Sequence, residues 1–116
     1  MRDEMPASWK ALDGTSVESD DENLRLTVHQ YDNGRIAVLA CDAEGSPYCK
    51  LTVNLVDEPD RGEDRFWVKL GGAEERLAKA LDARKLIRPL AEQAASGRVE
   101  HYAELWEIVP PEERPS

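Results

Sequence analysis

The chain has 116 residues, of which 41% are hydrophobic and 34% charged, and its 24 acidic and 15 basic residues give a formal net charge of −9. This length predicts one domain with one modest core, and it leaves no room for a deep active-site cleft between two domains. Because binding to nucleic acid or to an anionic membrane surface requires positive charge, the composition disfavours direct contact with DNA, RNA or lipid.

The N-terminus and the two cysteines bear on the compartment. Residues 1–6 hold neither the basic start nor the apolar stretch of a signal peptide, and no apolar run reaches the roughly 20 residues of a membrane span. We therefore expect a cytoplasmic protein. In a reducing compartment Cys41 and Cys49 are expected to be free thiols rather than a disulfide, although they flank a turn and could face each other across a hairpin.

Residues 1–23 read as an acidic leader, with seven acidic and two basic residues. Trp9 and Leu12 are its apolar anchors, too few to offset the entropy of ordering the segment. We predict that this leader is flexible, with a short helix over residues 7–12 if Trp9 docks on the core.

The folded domain is expected to begin at Leu24, where apolar and polar residues alternate as in a half-buried strand. The segment Tyr31-Asp32-Asn33-Gly34-Arg35 separates this strand from a second apolar stretch, residues 36–41. Asn-Gly in that position is the strongest short-range hairpin signal, because both residues tolerate positive φ. Further strands are predicted over residues 48–56 and 65–70, so that four consecutive strands form an antiparallel meander.

A helix and a last strand follow Gly71-Gly72. Residues 73–85 are nearly all good helix formers, with acidic residues in the first turn and basic residues in the last. Pro89 prevents continuation of this helix, and residues 90–97 fit either a second short helix or a loop. Residues 98–109 predict the last strand, with an imperfect alternation that allows a bulge or a helical turn.

These elements define one α+β domain over residues 24–109, followed by a disordered tail over 110–116. Its architecture is a mainly antiparallel, four- to five-stranded sheet with one principal helix on one face. The expected core consists of apolar residues at inward positions of these elements: Leu26, Val28, Ile36, Val38, Leu51, Val53, Leu55, Phe66, Val68, Leu77 and Leu81.

Trp67 should point to the sheet face opposite Phe66, because successive strand residues alternate. If that face is exposed, Trp67 beside Thr52 and Asn54 forms an interaction patch. The alternative is that the leader, a helix or a second chain covers it.

Catalytic and metal-binding chemistry finds little support. His29 and His101 lie in predicted strands without cysteine or histidine at metal-ligand spacing, and no helix N-terminus adjoins either cysteine to activate its thiol. The glycine pair before the helix lacks the rest of a phosphate-binding motif. We therefore predict no catalytic residue, no cofactor and no metal.

Five carboxylates crowd the polar loop between the third and fourth strands: Asp57, Glu58, Asp60, Glu63 and Asp64. The order of ligands in an EF-hand is absent, and Pro59 and Arg61 interrupt the run, so a calcium loop is disfavoured. A solvated acidic loop that either keeps the protein soluble or meets a basic partner is the better interpretation.

Residues 24–108 resemble a family of small uncharacterised proteins encoded on conjugative and integrative elements of gut bacteria. The resemblance rests on the turn phrases 31–35 and 42–47, the strand phrase Leu51-Thr52-Val53-Asn54-Leu55, the acidic loop and the single helix. Where the family usually has an acidic residue and Asn before the helix, this chain has Gly71-Gly72-Ala73-Glu74. The resemblance implies carriage on a mobile element and an accessory role, and it transfers no catalytic residue.

Taken together, the sequence predicts a non-catalytic accessory protein that presents acidic residues to a basic host or element protein, such as a defence nuclease or a DNA-processing enzyme. Two alternatives stay open. One is a structural homodimer that pairs through the Trp67 face or a free edge strand. The other is a small enzyme or ligand-binding domain that uses Asn54, His29 or His101 in a shallow pocket.

Overall fold

The computed structural model describes residues 5–96 and 98–113. These residues form two sheets and two α-helices. The elements are α1 (Ala7–Leu12), β1 (Ser16–Ser19), β2 (Glu22–Gln30), β3 (Ile36–Cys41), β4 (Pro47–Lys50), β5 (Arg65–Lys69), α2 (Ala73–Ala83), β6 (Ile87–Ser96), β7 (Val99–Ile108) and a 3₁₀ turn (Pro111–Glu113). The α+β class is confirmed, with an antiparallel four-stranded sheet, one main helix and a second, three-stranded sheet.

The first sheet has the strand order β1-β2-β3-β4, and tight turns connect its strands. The predicted β2–β3 hairpin is confirmed, but only Gly34 has a positive φ, at +89°. The Tyr31 amide donates to the Arg35 carbonyl and the Gly34 amide to the Tyr31 carbonyl, both at 2.8 Å. This is a three-residue loop closed by a left-handed glycine, rather than the two-residue Asn-Gly turn.

The second sheet has the order β5-β7-β6, so the prediction that four consecutive strands form one meander is wrong. The third predicted strand, 48–56, stops pairing soon after Lys50, because the Thr52 hydroxyl accepts the Val38 amide hydrogen bond at 3.2 Å. The Val53 amide then donates to the Trp67 carbonyl at 2.9 Å. The chain thus crosses from one sheet to the other between residues 51 and 53.

Residues 87–96 form β6, neither the short helix nor the loop that the sequence predicted. The ladder with β7 is irregular between Pro89 and Gln93, and Ala91 there has φ +63°. The proline therefore lies beside a bulge, a place where a strand tolerates it. Pairing along the long strand β7 overrides the helix propensity of this segment.

One main core fills the space between the inner faces of the two sheets and the two helices. Its predicted members are buried there, apart from Val53 and Leu55. Those two are partly buried in a second, smaller cluster on the outer face of the three-stranded sheet, where they pack with Trp67, Ala103 and Leu105. Phe66 lies in the main core and Trp67 in the second cluster, as their alternation in β5 predicts.

The N-terminal segment belongs to the domain, so the predicted boundary at residue 24 is wrong. Trp9, 1% exposed, and Leu12 pack in the main core from α1, and Val17 packs there from β1. The Trp9 indole nitrogen donates to the Glu63 carbonyl at 2.8 Å. The prediction overlooked Val17, whose strand completes the sheet. Residues 1–4 of the predicted leader and 114–116 of the predicted tail lie outside the described residues, and residues 111–113 of that tail form the 3₁₀ turn.

Candidate interaction surface

The acidic loop runs across the outer face of the three-stranded sheet, and Arg35 fixes its first part. The guanidinium of Arg35 donates to the carbonyls of Leu55 at 2.8 Å and Glu58 at 2.6 Å. The Asn33 side-chain amide also donates to the Asn54 side-chain oxygen at 3.1 Å. The β2–β3 hairpin therefore holds the backbone of the loop through side-chain donors.

Arg61 fixes the middle of the loop against the sheet. Its guanidinium lies 5.5 Å from the centre of the Trp67 ring, in a cation–π contact. It also pairs with Glu92 of β6 at 2.6 Å and with Glu58 at 3.3 Å. In the sequence, Arg61 stands out only as an interruption of an acidic run. The sequence signal for this role was Arg61 itself. A single arginine within a run of carboxylates is expected to pair with one of them.

This covering changes the role of two predicted partner-binding residues. Trp67 is 4% exposed and Thr52 is 3% exposed, so of the two alternatives for this face the covered one is observed, and the covering element is the acidic loop. The Thr52 hydroxyl lies 3.0 Å from that of Tyr31, besides its bond to the Val38 amide. Asn54 is half-buried. The segment that covers Trp67 follows Thr52 in the same chain. No pattern in the residues around Trp67 predicts this covering.

The five predicted carboxylates divide into two groups. Glu58 pairs with Arg61, and Asp64 accepts a hydrogen bond from the Ser8 hydroxyl, so both are half-buried and held by contacts within the chain. Asp57, Asp60 and Glu63 are exposed. No cation of residues 5–96 and 98–113 lies within ion-pair distance of these three.

An exposed apolar residue directly precedes Asp57 in the chain. Val56 is 66% exposed, more than any other large hydrophobic side chain whose burial the structure describes. We call Val56, Asp57, Asp60 and Glu63 the acidic loop surface. It combines one exposed apolar side chain with three unpaired negative charges on a backbone that Arg35 and Arg61 hold in place.

Arg65, Arg76 and Arg88 pair with carboxylates outside the acidic loop, whereas Arg35, whose partners are neutral carbonyls of the loop, keeps its charge beside this surface. The arginines that donate to carboxylates or to backbone carbonyls within the described part of the chain are Arg35, Arg61, Arg65, Arg76, Arg84 and Arg88. In the second sheet, for example, Arg65 and Arg88 share Glu107. Burial raises the pKa of Glu107, but hydrogen bonds from the two arginines outweigh it, and the pKa falls below its usual value.

A second polar network joins the first sheet to α2. Asp20, with φ +56° in the β1–β2 turn, accepts hydrogen bonds from Arg76 at 2.6 and 3.1 Å and from the Tyr48 hydroxyl at 2.9 Å. The hydrogen bond from Arg76 is the main cause that lowers the pKa of Asp20. Aspartate tolerates the left-handed region better than most residues, so the turn and the ion pair suit each other. The network has the features of a structural contact that holds the first sheet to α2.

The residues considered for catalysis do not converge. His29 lies on the first sheet, 3.1 Å from the Thr27 hydroxyl, and His101 is exposed on β7 of the second sheet. Cys49 pairs with Ala40 and Cys41 with Pro47, so the thiols do not face each other across the hairpin, and both are free. Burial, followed by the nearby charges of Glu74 and Asp20, raises the pKa of Cys49 to about 11.

The described residues form no deep cavity. The partly open space beneath the acidic loop, lined by Tyr31, Arg35 and Trp67 among others, has a volume of about 20 Å³, and the larger hollows, of about 260 to 390 Å³, are open surface grooves. The space beneath the loop has room for about one water molecule. Within the described ranges no three side chains of histidine, cysteine, aspartate or glutamate are grouped as metal ligands would be.

No protein-family model, curated protein or solved structure matches the chain. Neither helix of the described residues has the length and apolar character needed to cross a lipid bilayer.

Proposed function

We propose that this chain is a non-catalytic accessory protein that binds a basic protein partner through the acidic loop surface. The observation that carries the proposal is the exposure of Val56 beside the unpaired carboxylates of Asp57, Asp60 and Glu63. The resemblance to proteins of conjugative elements supports carriage on a mobile element, and we propose a cytoplasmic location. A DNA-processing enzyme or a defence nuclease has the basic surface that such a partner needs.

The two kinds of residue in this surface have different tasks. The free carboxylates attract a basic partner over a distance and raise the rate of association, an effect that added salt weakens. Val56 supplies apolar contact, and burying a valine side chain contributes about 1.5 kcal/mol or more. Because Arg35 and Arg61 already hold the backbone, binding orders little further chain and costs less conformational entropy.

The test is an affinity pull-down from host-cell lysate at low and at moderate salt, read by mass spectrometry. The variant Asp57→Asn/Asp60→Asn/Glu63→Gln removes three charges from the loop. The matched control, Glu18→Gln/Glu22→Gln/Glu44→Gln, removes three charges from exposed carboxylates outside the acidic loop. We expect one dominant basic protein with the wild type and the control, lost with the loop variant and as salt rises.

Two results contradict the proposal. Equal recovery by both triple variants would show that the loop carboxylates are not the binding residues. Recovery of the chain alone, with a dimer mass by light scattering, would favour a homodimer. The form of homodimer that pairs through Trp67 is disfavoured already, since Trp67 is buried within its own chain.

A further inference from the structure

The side chain of Asn33, at the exposed tip of the β2–β3 hairpin, folds back over its own backbone. Its Oδ1 atom accepts the Arg35 amide hydrogen at 3.2 Å, which closes an Asx turn. The ring closed by this hydrogen bond contains both the carboxamide carbon, Cγ, and the backbone nitrogen of Gly34. With Oδ1 turned to the Arg35 amide, Nδ2 faces the acidic loop and donates to the Asn54 side-chain oxygen at 3.1 Å.

Gly34 leaves its backbone nitrogen open to a reaction with this carboxamide. It has no side chain to hinder the approach of the two groups, and its φ of +89° marks a position that most other residues avoid. The other asparagines of the chain, Asn23 and Asn54, each precede a leucine, whose branched side chain shields the amide nitrogen. Among the asparagines, Asn33 alone combines an exposed side chain with a following glycine.

We propose that Asn33 is a site of spontaneous deamidation, a covalent modification that begins when the turn opens. The Gly34 nitrogen loses its proton to water and forms a bond to Cγ of Asn33, which closes a succinimide ring. The bond from Cγ to Nδ2 breaks, and Nδ2 takes up a proton and leaves as ammonia. Water then hydrolyses the ring at either of its carbonyls, so that residue 33 becomes aspartate or isoaspartate.

The contacts of the turn act on this reaction in opposite directions. The Arg35 amide donates to Oδ1, the oxygen on which negative charge develops when Cγ is attacked, and a donor already in place stabilises that charge. The Gly34 amide donates to the Tyr31 carbonyl at 2.8 Å, so its nitrogen reacts only after local opening of the turn. The bond to Asn54 holds the leaving nitrogen and slows the conversion further.

Both products change the contact between the hairpin and the acidic loop. Each replaces the Nδ2 donor by a carboxylate, so the Asn54 side-chain oxygen loses its hydrogen bond. The new charge lies two residues from Arg35, which binds the loop carbonyls of Leu55 and Glu58. The modification therefore loosens the first part of the acidic loop. Its effect on a basic partner rests on the proposed function, whereas the conversion itself does not.

The test incubates the purified full-length protein at physiological temperature and mildly alkaline pH, digests it at acid pH, and measures each asparagine by mass spectrometry. Fragmentation that separates isoaspartate from aspartate identifies both products. We expect conversion at Asn33, slower than in a blocked peptide of residues 29–37, and none at Asn23 or Asn54 over the same period. Asn54→Ala should speed conversion at Asn33 about fivefold, and the matched control Asn23→Ala should leave the rate unchanged.

The variant Asn33→Asp represents the aspartate product and tests the loosening of the loop. Hydrogen exchange at the Glu58 amide, which donates to the Leu55 carbonyl, should be faster in this variant than in the wild type. Circular dichroism shows that each variant is folded.

An Asn33 that stays unmodified while the peptide converts would overturn the proposal, as would equal rates at all three asparagines. Equal rates in Asn54→Ala and Asn23→Ala would refute the role of Asn54, and unchanged exchange at Glu58 would refute the loosening. All these measurements use the isolated protein. A failure of partner binding in the lysate experiment is therefore distinguishable from a failure of this proposal.

Discussion

Two buried tryptophans differ in one hydrogen bond, and replacing each by phenylalanine isolates that bond. Trp9 and Trp106 are 1% and 2% exposed and belong to the same core. The Trp9 indole nitrogen donates to the Glu63 carbonyl, whereas that of Trp106 is the buried side-chain polar atom without a partner among the described residues. Both substitutions delete the same atoms, so their losses of packing are similar.

The expected difference follows from the two indole groups. Trp9→Phe loses a hydrogen bond with a net value of about 1 kcal/mol. Trp106→Phe removes an unsatisfied buried donor and recovers about 1–3 kcal/mol. Trp9→Phe should therefore lower the free energy of unfolding by about 2–4 kcal/mol more than Trp106→Phe does. For a domain of this size that is a difference in Tm on the order of 10 °C.

Urea unfolding followed by circular dichroism and by the fluorescence of the remaining tryptophans measures both free energies. Coincident transitions by the two probes would show that α1 unfolds together with the sheets. Equal destabilisation by the two substitutions, or a larger loss for Trp106→Phe, would refute the reasoning. A Trp9→Phe protein as stable as the wild type would return the N-terminal segment to the status of a flexible leader.

Three further predictions concern single positions. The pKa of Cys49 is raised to about 11, so the contribution of this thiol to stability is present at neutral pH and is lost as pH rises from about 9 to 11. The urea midpoints of the wild type and of Cys49→Ala should therefore converge over that range. A constant gap between the two midpoints would contradict this. Gly34→Ala should lower the free energy of unfolding by about 1–2 kcal/mol because of its positive φ, and Gly34→Asn by less, with equal losses arguing against backbone strain. The lowered pKa of Asp20 means a contribution that is present above about pH 4 and lost as pH falls through the folded value; acid titrations of wild type and Asp20→Asn should therefore converge at low pH, and parallel curves would contradict the tie to Arg76.

The parts of the fold that the sequence predicts are those with local signals. The β2–β3 hairpin has alternating apolar residues on both sides of Asn33-Gly34, and α2 has good helix formers with acidic residues in its first turn. The opposite orientations of Phe66 and Trp67 follow from strand geometry alone. In each case neighbouring residues contain the information, and the structure agrees.

The parts that the sequence does not predict depend on contacts between distant residues. β1 is a four-residue strand with Val17 as its main apolar residue, and it forms because β2 pairs with it. β6 consists largely of helix-forming residues, yet it pairs with β7 across two irregularities. No window of sequence shows either pairing, so propensity and period favour the wrong state.

The candidate site shows the same division. Exposure of Asp57, Asp60 and Glu63 is predictable, since a run of carboxylates between strands is costly to bury. The burial of Trp67 is not predictable from the sequence. It depends on Arg61, which lies against the Trp67 ring and pairs with Glu92 of β6.

The N-terminal helix and the acidic loop form one structure. Ser8 donates to the Asp64 carboxylate and Trp9 to the Glu63 carbonyl, while the Ile108 amide donates to the Asp64 carbonyl at 2.9 Å. The C-terminal end of the acidic loop is therefore fixed by α1 and β7, as Arg35 fixes its beginning. A fixed loop loses little conformational entropy on binding. Removing these anchors should therefore weaken the binding of a partner even where every loop carboxylate is retained. The stability of the N-terminal helix and the affinity of the acidic loop surface are thus expected to change together, which a purely charge-based surface would not show.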